Sequence, residues 1–169
     1  MMLPLFLAAQ PHESRVIKVI DGDTFVIEDS SRVRMLGIDA PETRGEDEPF
    51  SQEAKAYLTQ RLLHQTVTLY PDGISPNKDR WGRLLRYAHL DGQDINLEMI
   101  EVGLAGAFRD YKVDRLAMYV AAEEKAKRKG VGMWEEKPQQ KKLPDWVWGV
   151  GIVMGVACIW LYVRMRSRG

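Results

Sequence analysis

A single cysteine, Cys158, stands among the 169 residues, so no intrachain disulfide can staple the fold. With only one thiol, the redox compartment stays open. Net charge is missing too, since 24 Lys and Arg balance 24 Asp and Glu. That balance is uneven along the chain. No acidic residue follows Asp145, whereas Arg164, Arg166 and Arg168 do. Residues 1–145 therefore hold 21 basic and 24 acidic side chains, a net of −3. This excludes a protein that coats duplex nucleic acid through overall positive charge. Attraction for a polyanion would have to come from a local basic cleft and a bound cation. Internal repeats and low-complexity runs are also absent. The composition, 45% hydrophobic and 28% charged, suits one globular domain with a real core plus an appendage.

The appendage is C-terminal. Residues 146–163 carry no charge and as a helix would span about 27 Å, close to a bilayer core. Trp146 and Trp148 mark one end, Trp160 and Tyr162 the other, as rings at lipid headgroup level do. The expectation is a single-pass transmembrane helix with the lipid bilayer as partner. Within it, Gly151 and Gly155 form a small-xxx-small pair suited to a weak homodimer, and Cys158 reads as packing. Residues 135–145 form a polar tether and residues 164–169 a basic tail. Lysines before the helix and arginines after it tie on the positive-inside count. The apolar Met1–Ala9 stretch ends in small residues but lacks a basic start. Residues 1–13 read as a possible signal remnant, which places the domain outside the cytoplasm.

Residues 14–134 read as the folded domain. Arg15–Ile20, Thr24–Glu28 and Arg32–Ile38 form a three-strand meander, with turns at Asp21-Gly22 and Asp29-Ser30-Ser31. Pro41 ends the third strand ahead of an acidic loop. Ser51 is the expected cap of a helix to about Leu63. Thr66–Tyr70 and Arg83–Leu90 are the fourth and fifth strands. Helices follow from Asn96 to Val102, stopped by Gly103, and from Asp114 to about Lys129, stopped by Gly130. This order predicts an α+β, five-stranded OB-fold barrel with about three helices.

Three short segments concentrate the chemistry. Asp23 opens the second strand and Asp39 closes the third, so an antiparallel pairing brings both carboxylates to one ion. With the Ala40 carbonyl and water they suit calcium, and residue types alone suit magnesium as well. Taken singly, each aspartate is more often a turn or cap residue; it is their joint spacing that favours the ion. Glu42, stiffened by Pro41, can align or deprotonate a water. Arg34 shares a strand face with Leu36 and Ile38, where a cation needs an anion. Its planar fork suits phosphate, and Arg83, after Gly82, completes a clamp. Together these residues point to metal-assisted phosphodiester cleavage.

The segments Asp21-Gly22-Asp23-Thr24, Arg34 through Asp39-Ala40-Pro41-Glu42-Thr43, and Gly82-Arg83 resemble the staphylococcal-nuclease-like (thermonuclease) family. Asn96–Ile100, Gly103-Leu104-Ala105 and Gly132-Met133-Trp134 extend the likeness over about Arg15–Trp134. The resemblance implies a calcium-dependent endonuclease, a hydrolase that leaves 3′-phosphate ends on DNA or RNA. It implies Asp23, Asp39 and the Ala40 carbonyl as calcium ligands, Glu42 at the water nucleophile, and Arg34 and Arg83 on the scissile phosphate. Trp81 and Arg80 replace the family's usual tyrosine and lysine before Gly82. Arg109 stands where the family often has tyrosine, while Tyr111 keeps its ring. These four are the expected substrate contacts. The competing expectation is an OB module tethered to the membrane that binds nucleic acid without cutting.

Overall fold

The computed structural model describes residues 10–43 and 48–135. The expected membrane segment, the basic tail, the glycine pair Gly151 and Gly155 and nearly all of the expected tether lie outside the described residues, as do residues 1–9 of the N-terminal segment. Among the described residues, no helix is long and apolar enough to cross a membrane.

Strands β1 (His12–Val19), β2 (Thr24–Ile27) and β3 (Arg32–Met35) form the expected meander. Alternation turns Phe25 and Ile27, then Val33 and Met35, into the core. A register shift between Val16 and Lys18 adds one residue to β1 and lets both Val16 and Val19 face inward. The third strand does not run on to Ile38. It stops at Met35, because Gly37 adopts φ +73°, a conformation closed to most side chains. A two-residue strand, β4 (Ile38–Asp39), follows. It pairs with β8 (Gly106–Ala107) rather than continuing the meander.

Helix α1 (Ser51–Leu62) packs Ala54, Leu58 and Leu62 into the core. Its cap is Phe50 at φ 69°, not Ser51, whose buried hydroxyl has no partner among the described residues. β5 (Thr66–Tyr70) has the expected bounds and pairs antiparallel with β1 and with β6 (Leu84–Leu90). β6 then lies parallel to β3, with Val33 opposite Leu84 and Met35 opposite Arg86. That pairing closes five strands into a barrel, as an OB fold requires. A short β7 (Gln93–Asp94) leads into α2 (Ile95–Glu101), capped by the Asp94 carboxylate on the Leu97 N–H at 3.0 Å. α3 (Leu116–Lys129) starts two residues after Asp114 and ends at Gly130. It buries Tyr119, Ala122, Glu123 and Ala126.

Asn96, fully buried on α2, ties helix to barrel. Its Oδ1 accepts from the Ala88 N–H, and its Nδ2 donates to the Leu36 and Arg86 carbonyls. The bond to Leu36 fixes the turn between β3 and β4, where the chemical residues gather.

Candidate catalytic and metal centre

The break in the third strand removes the Met35 and Ile38 carbonyls from a continuous ladder, and Arg34 takes them up. Nη1 donates to both at 2.8 Å. Nη2 reaches Asp23 Oδ2 at 3.1 Å and Asp39 Oδ1 at 2.9 Å. One guanidinium nitrogen thus stands between the two expected cation ligands. The aspartates meet for a different reason than strand pairing. Asp23 precedes β2, whereas Asp39 sits across the Gly37 break beside Gly106. What joins them is Arg34, together with the Ala40 N–H donating to Asp23 Oδ2 at 3.1 Å. Arg34 does not lie on an apolar inward face with Leu36 and Ile38. Val33 and Met35 point inward, and Arg34, 14% exposed at its side chain, folds over the turn.

Burial pushes the Asp23 carboxyl up to about 7, against the pull of Arg34 and with the Asp21 charge adding to the rise. Asp39, 58% exposed at its side chain, is also raised. Partial desolvation comes first there, opposed by Arg34 and reinforced by Glu48, Asp110 and Asp21. Asp21 is buried, and its Oδ1 accepts from the Asp23 N–H at 3.2 Å. Sequence reasoning assigned Asp21 only to a turn. Its signal was the repeated carboxylate in Asp21-Gly22-Asp23. Crowded, partly desolvated carboxylates demand positive charge.

Among the described residues, no group of three or more His, Cys, Asp and Glu is arranged to hold a metal ion. A cation here would rest on two carboxylates completed by backbone oxygen and water. The donor set fits a hard oxygen-seeking ion, because the Arg34 nitrogen already occupies a cation's position between Asp23 and Asp39.

The other expected residues are more scattered. Glu42 is exposed, and its backbone N–H donates to Glu48 Oε2 at 3.2 Å. Among the described residues, no hydrogen bond joins its carboxylate to Asp23, Arg34 or Asp39. Arg83 immediately precedes β6, whose Leu85 stands opposite Arg34 in the parallel register. It is held by Asp79, with Nε donating to Oδ2 at 2.6 Å. Gly82 serves this turn through its φ of +79°. Nothing lies within 4 Å of where a Cβ on it would stand. Trp81 is 65% exposed, with Arg80 4.0 Å and Arg83 5.1 Å from its ring centre. Tyr111 is 70% exposed, 5.6 Å from the Phe108 ring. Arg109 donates to the Ala107 carbonyl and pairs with Glu123, a buried carboxylate also met by Lys127 at 3.1 Å.

Similarity to known proteins decides between the families such a site could belong to. A family profile described as "Staphylococcal nuclease homologue" matches residues 32–136. The chain belongs to the staphylococcal nuclease family. It is 36% identical over 126 residues to an uncharacterized endonuclease of Haemophilus influenzae, covering 72% of this chain and 66% of that protein. Against a thermonuclease of Staphylococcus intermedius it is 33% identical over 131 residues, 73% of this chain and 77% of the relative. A micrococcal nuclease of Shigella flexneri is 32% identical over 145 residues, 79% and 78% of the two chains. The five-stranded barrel with three helices is the architecture expected of a staphylococcal nuclease homologue.

Proposed function

We propose that this chain is a membrane-anchored, calcium-dependent nuclease that hydrolyses DNA or RNA to 3′-phosphate ends. Its standing as a nuclease hydrolase rests on family membership and on relatives named endonuclease and thermonuclease. The observation that carries the finer reading is the Arg34 nitrogen held between Asp23 and Asp39.

Asp23, Asp39 and the Ala40 carbonyl would hold the calcium ion. When bound, that ion supplies positive charge against the phosphate and the developing oxyanion. Arg34 keeps Nη1 on the Met35 and Ile38 carbonyls, which fixes its plane. Nη2 is then the arm that turns to a phosphoryl oxygen once the carboxylates' charge is met. Arg83 presents its two terminal nitrogens to the same phosphate. Glu42 accepts a proton from water as the water oxygen bonds to phosphorus. The bond from phosphorus to the 5′ oxygen breaks, that oxygen takes a proton from solvent to become a hydroxyl, and the phosphate stays on the 3′ side. Trp81 and Tyr111 offer exposed rings for base stacking.

Cleavage of a labelled oligonucleotide by the full chain tests this reading. Wild type should cut in calcium and yield 3′ ends that a polymerase extends only after phosphatase treatment. Glu42→Gln should bind the oligonucleotide but cut it at least about 100-fold more slowly. Full cutting by Glu42→Gln would remove the base from this account.

Residues 146–163 supply the anchor in this proposal, with the nuclease domain outside the cytoplasm and the arginine tail inside. A compartment-sensitive reporter fused after Gly169 should report the cytoplasm. A signal from the opposite side would reverse the orientation.

A further inference from the structure

Asp79, 13% exposed at its side chain, turns both carboxylate oxygens to the loop that carries Arg80, Trp81 and Arg83. Oδ1 accepts the N–H groups of Trp81 and Arg83, both at 2.9 Å. Oδ2 accepts Arg83 Nε at 2.6 Å. The main chain closes on itself at the same point. The Asp79 N–H donates to the Arg83 carbonyl and the Gly82 N–H to the Asp79 carbonyl, each at 3.0 Å. The base of the loop is pinned as well. Lys78 bridges to Leu84, the Leu85 N–H donates to the Asn77 carbonyl at 3.1 Å, and the buried Arg86 donates Nη2 to Asn77 Oδ1 at 2.6 Å.

The choice of atom on Arg83 matters. A guanidinium caught by Nε is fixed in direction and still presents Nη1 and Nη2 as a parallel pair of donors, the geometry that grips phosphate. Among the described residues, no hydrogen bond engages those two nitrogens. Arg34 is engaged in the opposite way, with both terminal nitrogens bonded. We infer that Asp79 is a positioning residue for phosphate recognition: it aims the Arg83 fork and locks the Trp81 backbone, so that cation and stacking ring move as one unit. The inference rests on the proposed role of Arg83 at the phosphate and deepens it. It is reinforced by the state of Asp79, whose carboxyl, despite the burial that raises it, is brought below its ordinary value by the bonds from Arg83 and Trp81.

Asp79→Asn separates aiming from folding. The amide keeps an oxygen for the Trp81 and Arg83 N–H groups and places an NH₂ where Oδ2 stood, which cannot accept from Nε. Arg83→Lys removes Nε while keeping a positive charge. Four full-length proteins, wild type, each single variant and the double variant, are compared for calcium-dependent cleavage rate. Their affinity for a labelled single-stranded oligonucleotide in chelator is compared alongside. With Arg83 in place, Asp79→Asn should lower the cleavage rate about 10- to 100-fold and weaken binding several-fold. Added to Arg83→Lys, it should change either readout less than twofold. Equal losses with and without Arg83→Lys would make Asp79 a plain structural residue and overturn the inference, as would no loss with Arg83 in place. Binding carries the test apart from cutting: a wild type that binds through this pair but cuts nothing defeats the nuclease reading and leaves the positioning role standing.

Discussion

Asn96 Nδ2 donates to the Leu36 carbonyl at 2.9 Å, a buried bond between residues sixty apart that holds the β3–β4 turn against α2. The turn carries Arg34 at one end and Asp39 at the other. Asn96→Ala leaves the Ala88 N–H and the Leu36 carbonyl buried without their partner. Chemical denaturation should show a loss of about 2–4 kcal/mol. Cleavage measured under conditions where the variant is fully folded should fall too, because the turn loses its brace. A loss below about 0.5 kcal/mol would mean that the bond is decorative.

Arg34 plays two opposing parts. It neutralises Asp23 and Asp39, and it is the proposed phosphate ligand. Arg34→Gln should therefore cut about 100- to 1,000-fold more slowly. The same change should bind calcium more tightly in titration calorimetry, since the carboxylates lose their resident cation. Weaker calcium binding in this variant would show that Arg34 organises the pair rather than competing for it.

Asp72 sets a pH dependence away from the centre. It accepts from the Tyr87 hydroxyl at 2.7 Å, the Asp114 N–H at 2.9 Å and the Ser75 N–H at 2.8 Å. Although burial alone would raise its carboxyl, these bonds bring it down to about 2, from an unfolded value of 3.8. The folded state thus prefers the ionised form. The stabilisation is complete above the unfolded value and is lost as pH falls towards 2, about 1–2 kcal/mol in all after solvent screening. The stability gap between wild type and Asp72→Asn should be constant near neutrality and shrink below about pH 4. A gap unchanged at about pH 3 would exclude this carboxylate as its source.

The proposed anchor makes a separate prediction. Full-length protein should stay with the membrane fraction through alkaline carbonate washing and leave it only with detergent. Deleting residues 146–163 should release an active enzyme. Release of the intact chain by carbonate would mark a peripheral attachment.

Much of this fold was legible because local signals agreed with tertiary need. The alternating Thr66–Tyr70 run marked the bounds of β5, and Gly130 marked the end of α3. The misreadings share a different cause. Arg32–Ile38 is a strand by residue type throughout, and only the positive φ of Gly37 divides it. Ser51 looked like a cap, yet it is buried inside the first turn while Phe50 makes the entry. The two-residue strands β4, β7 and β8 are too short to leave a period. At the centre, the residue types were readable but their wiring was not. Arg34 bridging Asp23 to Asp39, and Asp79 holding Arg83 by Nε, depend on rotamers and on the parallel β3–β6 closure, which no local pattern encodes. Arg109 is similar. Its position suggested substrate contact, and its guanidinium also meets the buried carboxylate of Glu123, fourteen residues on in α3, a pairing with no local signature.

The central claim is that Asp23 and Asp39 bring a calcium ion to the phosphate beside Arg34. The most direct measurement is the cleavage rate of full-length wild type and Asp39→Asn across a calcium titration, with chelator as the zero point. The account predicts no cutting in chelator, saturable activation of wild type by calcium, and an Asp39→Asn variant that is folded but at least about 100-fold slower at every concentration. Undiminished cutting by wild type in excess chelator, or by Asp39→Asn in calcium, would contradict it.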